Sequence, residues 1–220
     1  MSLFYVLAIC GAGPLPRAAF FLYGVRYSVA MMYTEKMQQA IRFMLKTHEV
    51  YQKQKRKGKD IPYLAHPLTV GLILARVGAS EDLIIAGILH DTIEDSTEEK
   101  KVTREMLAER FGERVAELVQ SVTEADRSVP WDARKQEALE HIETFSHDSV
   151  LLKSADVIAN NAELLEDYAL HGDATFERFS ESKEKTLAHT QRVLAALQAK
   201  WQGSPLTADL ANMSTLLSKI

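Results

Sequence analysis

From Thr34 onward, apolar residues recur at helical spacing along almost the whole chain. Met37, Ala40, Ile41, Met44, Leu45 and His48 fall at i, i+3, i+4 and i+7 and predict a first helix with one buried face. A basic loop, Lys53 to Lys59, follows. His66–Val77 reads as a second helix closed by Gly78. Ser80 is placed as the N-cap of a third, with Glu81 and Asp82 in its first turn. Thr97–Lys101 reads as a polar loop. Thr103 caps Arg104–Phe111, Gly112 breaks the chain, and Glu113–Val122 resumes it. Ala125–Pro130 reads as a turn before helices at Trp131–Phe145 and Ser149–Leu170, which Ser146-His147-Asp148 separates. A long helix is predicted over Ala174–Trp201, stopped by Gly203-Ser204-Pro205. In the tail, Leu206, Leu210, Met213, Leu216 and Leu217 share one face. That face covers the domain's own surface, with a homodimer contact as the alternative. No alternating strand pattern and no repeat is present, so the fold class is all-α.

Residues 1–32 break this pattern. Ser2–Met32 has no acidic residue, only Arg17 and Arg26 as basic ones, and Gly and Pro interruptions at Gly11, Gly13, Pro14 and Pro16. No positive charge precedes the apolar stretch, as a secretory signal requires. Neither apolar piece reaches the roughly 18 residues that span a bilayer, so no membrane partner is expected. The segment reads as an upstream extension with the start at Met31 or Met32; an ordered packing segment and a membrane tether are the alternatives. The organisation is then an extension at 1–32, one domain at 33–202 and a tail helix at 203–220.

Composition narrows the class. Of 220 residues, 46% are hydrophobic and 25% charged, which is enough apolar material for a buried core. The net charge of −4 argues against a nucleic-acid partner, which calls for a basic face. The single cysteine excludes an internal disulfide and fits a reducing, cytoplasmic compartment.

The chemistry concentrates at residues 90–95, His-Asp-Thr-Ile-Glu-Asp. They directly follow the apolar run Leu83–Leu89. Buried charges need partners or a metal. A His-Asp pair offers a nitrogen and an oxygen to one divalent cation, and Glu94 and Asp95 lie about one helical turn on. Asp156 sits inside a mostly apolar helical run, and a carboxylate rarely buries without a partner. His66 precedes Pro67 at a helix mouth. Alone, His66 reads as structural. With His90, Asp91 and Asp156 it completes a mixed nitrogen and oxygen site suited to Mn, Fe or Zn, with positions open for water and substrate.

In order, His66, His90-Asp91 and Asp156 resemble the signature of the HD-domain metal-dependent phosphohydrolases. More narrowly, the chain is similar to the hydrolase domain of the RelA/SpoT-type alarmone enzymes and to the small alarmone hydrolases. Pro62-Tyr63-Leu64-Ala65-His66-Pro67, Leu89–Asp95, Phe111–Val115, Val119–Thr123 and Lys153–Asp156 with Asn160 carry the likeness, which runs from about Thr34 to Trp201. The resemblance implies an HD-domain helical bundle and a 3′-pyrophosphohydrolase of guanosine 3′,5′-bis(diphosphate)-type nucleotides. It further implies one manganese ion, or another divalent metal, held by His66, His90, Asp91 and Asp156. Glu94 and Asp95 would handle the attacking water and proton transfer, and Asn160 would lie near the ribose and metal. Arg56 is the base-stacking residue that the resemblance implies, with Lys55 and Lys57 beside it; a solvated linker is the alternative reading of that loop. Lys183 and Lys185 stand as phosphate contacts in the last helix.

The chain departs from the family pattern after the last ligand. Val157 replaces a basic residue, and Asn161, Ala162 and Glu163 stand where apolar and basic residues are usual. The base is therefore open between guanine and adenine. A broader HD phosphatase acting on nucleoside monophosphates or NADPH, and a non-enzymatic nucleotide sensor, are the other readings.

Overall fold

The computed structural model describes residues 33–124 and 128–220; the extension read at 1–32 and residues 125–127 of the expected turn lie outside them. Among the described residues the fold is all helical. Among them, β-pairing is limited to a single antiparallel bridge between Lys55 and Pro62.

Side chains close several helix starts, Ser80 and Thr103 among them as the sequence places them. Thr34 Oγ1 accepts the Met37 amide and opens α1 (Glu35–Leu45). Ser80 Oγ accepts the Leu83 amide and opens α3 (Glu81–Leu89), after α2 (Ala65–Arg76). Thr103 caps α4 (Arg104–Phe111), and Gly112, at φ 89°, turns the chain into α5 (Glu113–Val122). The remaining helices are α6 (Trp131–Ile142), α7 (His147–His171), α8 (Lys183–Lys200) and α9 (Thr207–Leu217).

Three expectations are corrected, each for a local reason. The first helix does not run as α-helix to His48: Lys46–Tyr51 widens into a π-helical turn that buries Thr47 and His48. Ser146 does not separate two helices together with His147 and Asp148. Its hydroxyl accepts the Ser149 amide, so α7 starts at His147. The long helix expected from Ala174 starts only at Lys183. Gly172 at φ 57° ends α7, a 3-10 turn spans Gly172–Arg178, Phe179 is extended, and Ser182 accepts the Lys185 amide as a new cap.

Helix α3 is buried at every position from Leu83 to Leu89 and packs against α1, α2, α5 and α7. Helix α7 is the other axis, meeting α2, α3, α5, α8 and α9. The tail helix α9 buries Leu210, Met213 and Leu217 against α7 and α8 of its own chain. Two glycines set how closely α2 meets α3. A Cβ on Gly87 would lie 2.5 Å from Leu74 Cδ1 and 3.3 Å from Val70 Cγ1; one on Gly71 would lie 2.9 Å from Ile88 Cγ1. Backbones can approach this closely only where there is no side chain. The crossing carries His66 at the start of α2 to His90 at the end of α3. No helix among the described residues is long and apolar enough to cross a membrane.

Candidate metal centre

Three helices deliver the candidate ligands. His66 lies in the first turn of α2, His90 and Asp91 just past α3, and Asp156 midway along α7. His66 is 4% exposed, His90 4% and Asp156 7%, so none of their polar atoms can rely on bulk water. One ligand atom each from His66, His90 and Asp156 converges to within 4.8 Å of the others. His66 Nε2 is 3.2 Å from Asp156 Oδ1 and 3.3 Å from His90 Nε2. Asp91 Oδ2 joins them at 2.9 Å from His90 Nε2 and 3.7 Å from His66 Nε2.

The surroundings aim these atoms. His90 Nδ1 lies 2.8 Å from the Gly87 carbonyl, which only accepts, so Nδ1 carries the proton and donates. Once the ring gives up its second proton, Nε2 carries the lone pair that faces the centre. Asp156 Oδ2 accepts from Lys153 Nζ at 2.9 Å and Oδ1 from Asn160 Nδ2 at 2.7 Å. Tyr63 donates its hydroxyl to Asp91 Oδ2.

Charge at the centre follows from these contacts. Burial opposes ionisation of Asp156, but the Lys153 ammonium and both imidazoles outweigh it and hold the carboxyl well below its usual range. Asp91 is likewise held low, His90 outweighing its burial. Burial alone would lower His90; Asp91 and Asp156 instead raise it to about 9. The negative charge that Asp91 and Asp156 keep beside the two imidazoles makes a field suited to a divalent cation. The donor set, imidazole nitrogens with carboxylate oxygens, fits a first-row metal.

The acidic pair lies in the turn after α3. Asp95 is 8% exposed; its amide donates to the Asp91 carbonyl, and its Oδ2 accepts from Gln54 Nε2 at 2.8 Å. Glu94 is partly buried beside it.

The basic loop divides. Arg56 is drawn in: Nε donates to Glu163 at 2.8 Å, an NH2 to Asn160 Oδ1 at 2.7 Å, and the guanidinium lies 5.3 Å from the Tyr63 ring centre. Lys59 pairs with Glu163 at 2.9 Å and Asp167 at 2.6 Å, and Arg178 reaches Asp167 at 2.6 Å. Lys55 points outward onto exposed Asp60, and Lys57 lies over the Phe179 ring. Lys183 pairs with Asp173 over the rings of Tyr168 and Phe176, and Lys185 pairs with Asp132 and Glu181; none of these partners belongs to the centre.

Several functional contacts escape the sequence reading. Tyr63 stands within a motif that the sequence singles out, but no spacing ties its hydroxyl to Asp91. Lys153, Glu163 and Asp167 were detectable: with Asp156 and Asn160 they step 3, 4, 3 and 4 residues along α7, one polar seam on a buried helix. Glu163, a departure from the family pattern, holds Arg56 and Lys59.

The family model described as HD domain matches residues 40–203. Guanosine-3′,5′-bis(diphosphate) 3′-pyrophosphohydrolase MESH1 of Danio rerio is 35% identical over 119 residues, 53% of this chain and 63% of that protein. The match therefore spans less than two thirds of that relative's length. An Aquifex aeolicus enzyme of the same named activity is 44% identical over 64 residues, 29% of this chain and 9% of the enzyme. Among solved structures, a metazoan orthologue of SpoT, described as hydrolysing ppGpp, superposes with a TM-score of 0.65. At 22% identity over 86% of this chain and 96% of its own, it shows the fold. A Listeria monocytogenes EGD-e protein superposes with a TM-score of 0.62 at 26% identity, covering 70% of this chain and 99% of its own.

Proposed function

Because the chain belongs to the HD-domain family, we propose that it is a metal-dependent 3′-pyrophosphohydrolase of hyperphosphorylated nucleotides of the guanosine 3′,5′-bis(diphosphate) type. The observation that carries this reading is the buried convergence of His66, His90 and Asp156, with Asp91 on both imidazoles. The printed activity of the MESH1 relatives supports the substrate class. One manganese ion, a cytoplasmic setting and a small-molecule nucleotide partner complete the proposal.

A divalent ion held by His66, His90, Asp91 and Asp156 supplies Lewis acidity, polarising the phosphate and acidifying water. The chain's own groups do the rest. Glu94 and Asp95 take the proton of the water that attacks the phosphorus bonded to O3′. The P–O3′ bond breaks, O3′ takes up a proton, and pyrophosphate leaves. Phosphoryl transfer depends on positioning and charge neutralisation more than on covalent chemistry. Asn160, bonded to both Asp156 and Arg56, joins the metal end of the site to the nucleotide end. Arg56 keeps one face on Tyr63 and offers the other to a base.

The test is incubation with manganese and the 3′,5′-bis(diphosphates) of guanosine and adenosine, NADPH and nucleoside monophosphates, with a chelator control. Chelator-sensitive pyrophosphate from a bis(diphosphate) supports the reading and fixes the base. Orthophosphate from NADPH or monophosphates alone moves the protein to the broader phosphatases. Tight nucleotide binding with no turnover makes it a sensor. Asp91→Ala should abolish turnover, whereas Glu94→Gln should reduce it sharply with metal still bound.

A further inference from the structure

Asp95 is joined to a buried histidine that the proposed chemistry does not use. His48 is 1% exposed and sits in the π-helical turn Lys46–Tyr51. Such turns are frequent at functional sites. His48 Nδ1 is 2.8 Å from Gln54 Oε1, and Gln54 Nε2 is 2.8 Å from Asp95 Oδ2.

The direction of this chain of bonds is fixed from its acidic end. An ionised carboxylate only accepts, so the Gln54 amide nitrogen must face Asp95. The amide oxygen then faces His48, and Nδ1 must donate to it. Burial pushes His48 below the usual imidazole range, which keeps the ring neutral and holds its proton on Nδ1. Nε2 is buried with no hydrogen-bond partner, so nothing on that side competes for the proton.

Gln54 is pinned by its backbone as well. Its amide donates to the His48 carbonyl at 2.8 Å, and its carbonyl accepts the Tyr63 amide at 2.9 Å. Tyr63 in turn bonds Asp91 and stands 4.9 Å from the His48 ring, centre to centre. Asp95 and Asp91 are therefore held through one short segment, the first by Gln54 and the second by Tyr63.

We infer that His48 and Gln54 are positioning residues that fix the Asp95 carboxylate toward the reacting water. This rests on the proposed role of Asp95. A carboxylate that must take a proton in one geometry loses rate when it swings, even with its charge intact. Removing comparable outer-sphere orienting bonds costs about 10- to 100-fold.

The experiment measures kcat, KM and manganese affinity for the full chain and a set of variants on the active bis(diphosphate). Gln54→Leu should lower kcat about 10- to 100-fold, with manganese affinity and melting temperature near wild type. His48→Leu should behave alike, unless it fails to fold. His48→Asn, whose amide nitrogen can take the place of Nδ1, should recover most of kcat, whereas His48→Gln should not. In an Asp95→Asn background, Gln54→Leu should cost little more. An equal further loss in that background, or Gln54→Leu with wild-type kcat, overturns the inference. Recovery by His48→Gln as full as by His48→Asn overturns the assigned donor. Absence of pyrophosphate release by the wild type would instead sink the proposed function and is seen before any variant is made.

Discussion

At Tyr63 a single side chain touches both ends of the site, its hydroxyl on Asp91 and its ring under Arg56. Tyr63→Phe keeps the ring and loses only the donor. Metal titration should show an affinity about 10-fold weaker, at the low end of what lost outer-sphere bonds cost, with melting unchanged. A second residue, His189, packs edge-on against Trp131, ring centres 5.5 Å apart. Burial, aided by Lys135, lowers its pKa to about 4. The unfolded chain holds that proton below about 6.5, so it binds more protons than the fold between pH 4 and 6.5. Stability should therefore fall as pH drops through this window. Thermal melts at pH 7 and pH 5 on wild type and His189→Gln should show a smaller pH-dependent loss in the variant.

Among the elements, the α2–α3 crossing sets the metal centre. Gly87→Ala would press a methyl group onto Leu74 and Val70, costing about 1–3 kcal/mol as an overpacked contact. Because the helices must part there, His66 and His90 should separate too. Calorimetry should find melting and metal affinity lowered together; normal metal affinity in a destabilised variant would contradict the link. These helices were legible because their caps and apolar periods are local properties of the chain. Ser80, Thr103 and the run 83–89 announce their elements without reference to anything distant. The start of α8 was not, because apolar residues within 174–182 fit a helix as well as the 3-10 turn that Phe176 packs into the core. The convergence of His66, His90 and Asp156 was legible from residue type and order. The roles of Tyr63, Gln54 and Glu163 were not, since each depends on which loop atom meets which helix face.

For the whole molecule, a metal held by residues of α2, the turn after α3 and α7 would bind only the folded state and add to its stability. At a hundredfold excess over Kd the gain is about 2.7 kcal/mol, or about 5–10 °C in melting temperature, which a chelator should remove. The pH trend without metal should run the other way from that with it. His90, raised to about 9 by its carboxylates, contributes stability that is complete below about 6.5 and lost as pH rises to 9. The chelated protein should thus melt lower as pH climbs through that range. Metal must displace those protons, so its apparent affinity, read by titration at each pH, should rise. The polar seam along α7 has a further consequence, in length. A helix advances about 1.5 Å per residue, so Asp156 and the cation-holding Asp167 stand about 16 Å apart on one rigid rod. The helix acts as a ruler, with the candidate metal ligand at one mark and the carboxylate that holds Lys59 and Arg178 at the other. Substitutions in the basic loop change the charge offered at the second mark and leave its position alone. Only a change in α7 itself would move it, and seven inserted residues would keep the face aligned while lengthening the reach by about 10 Å.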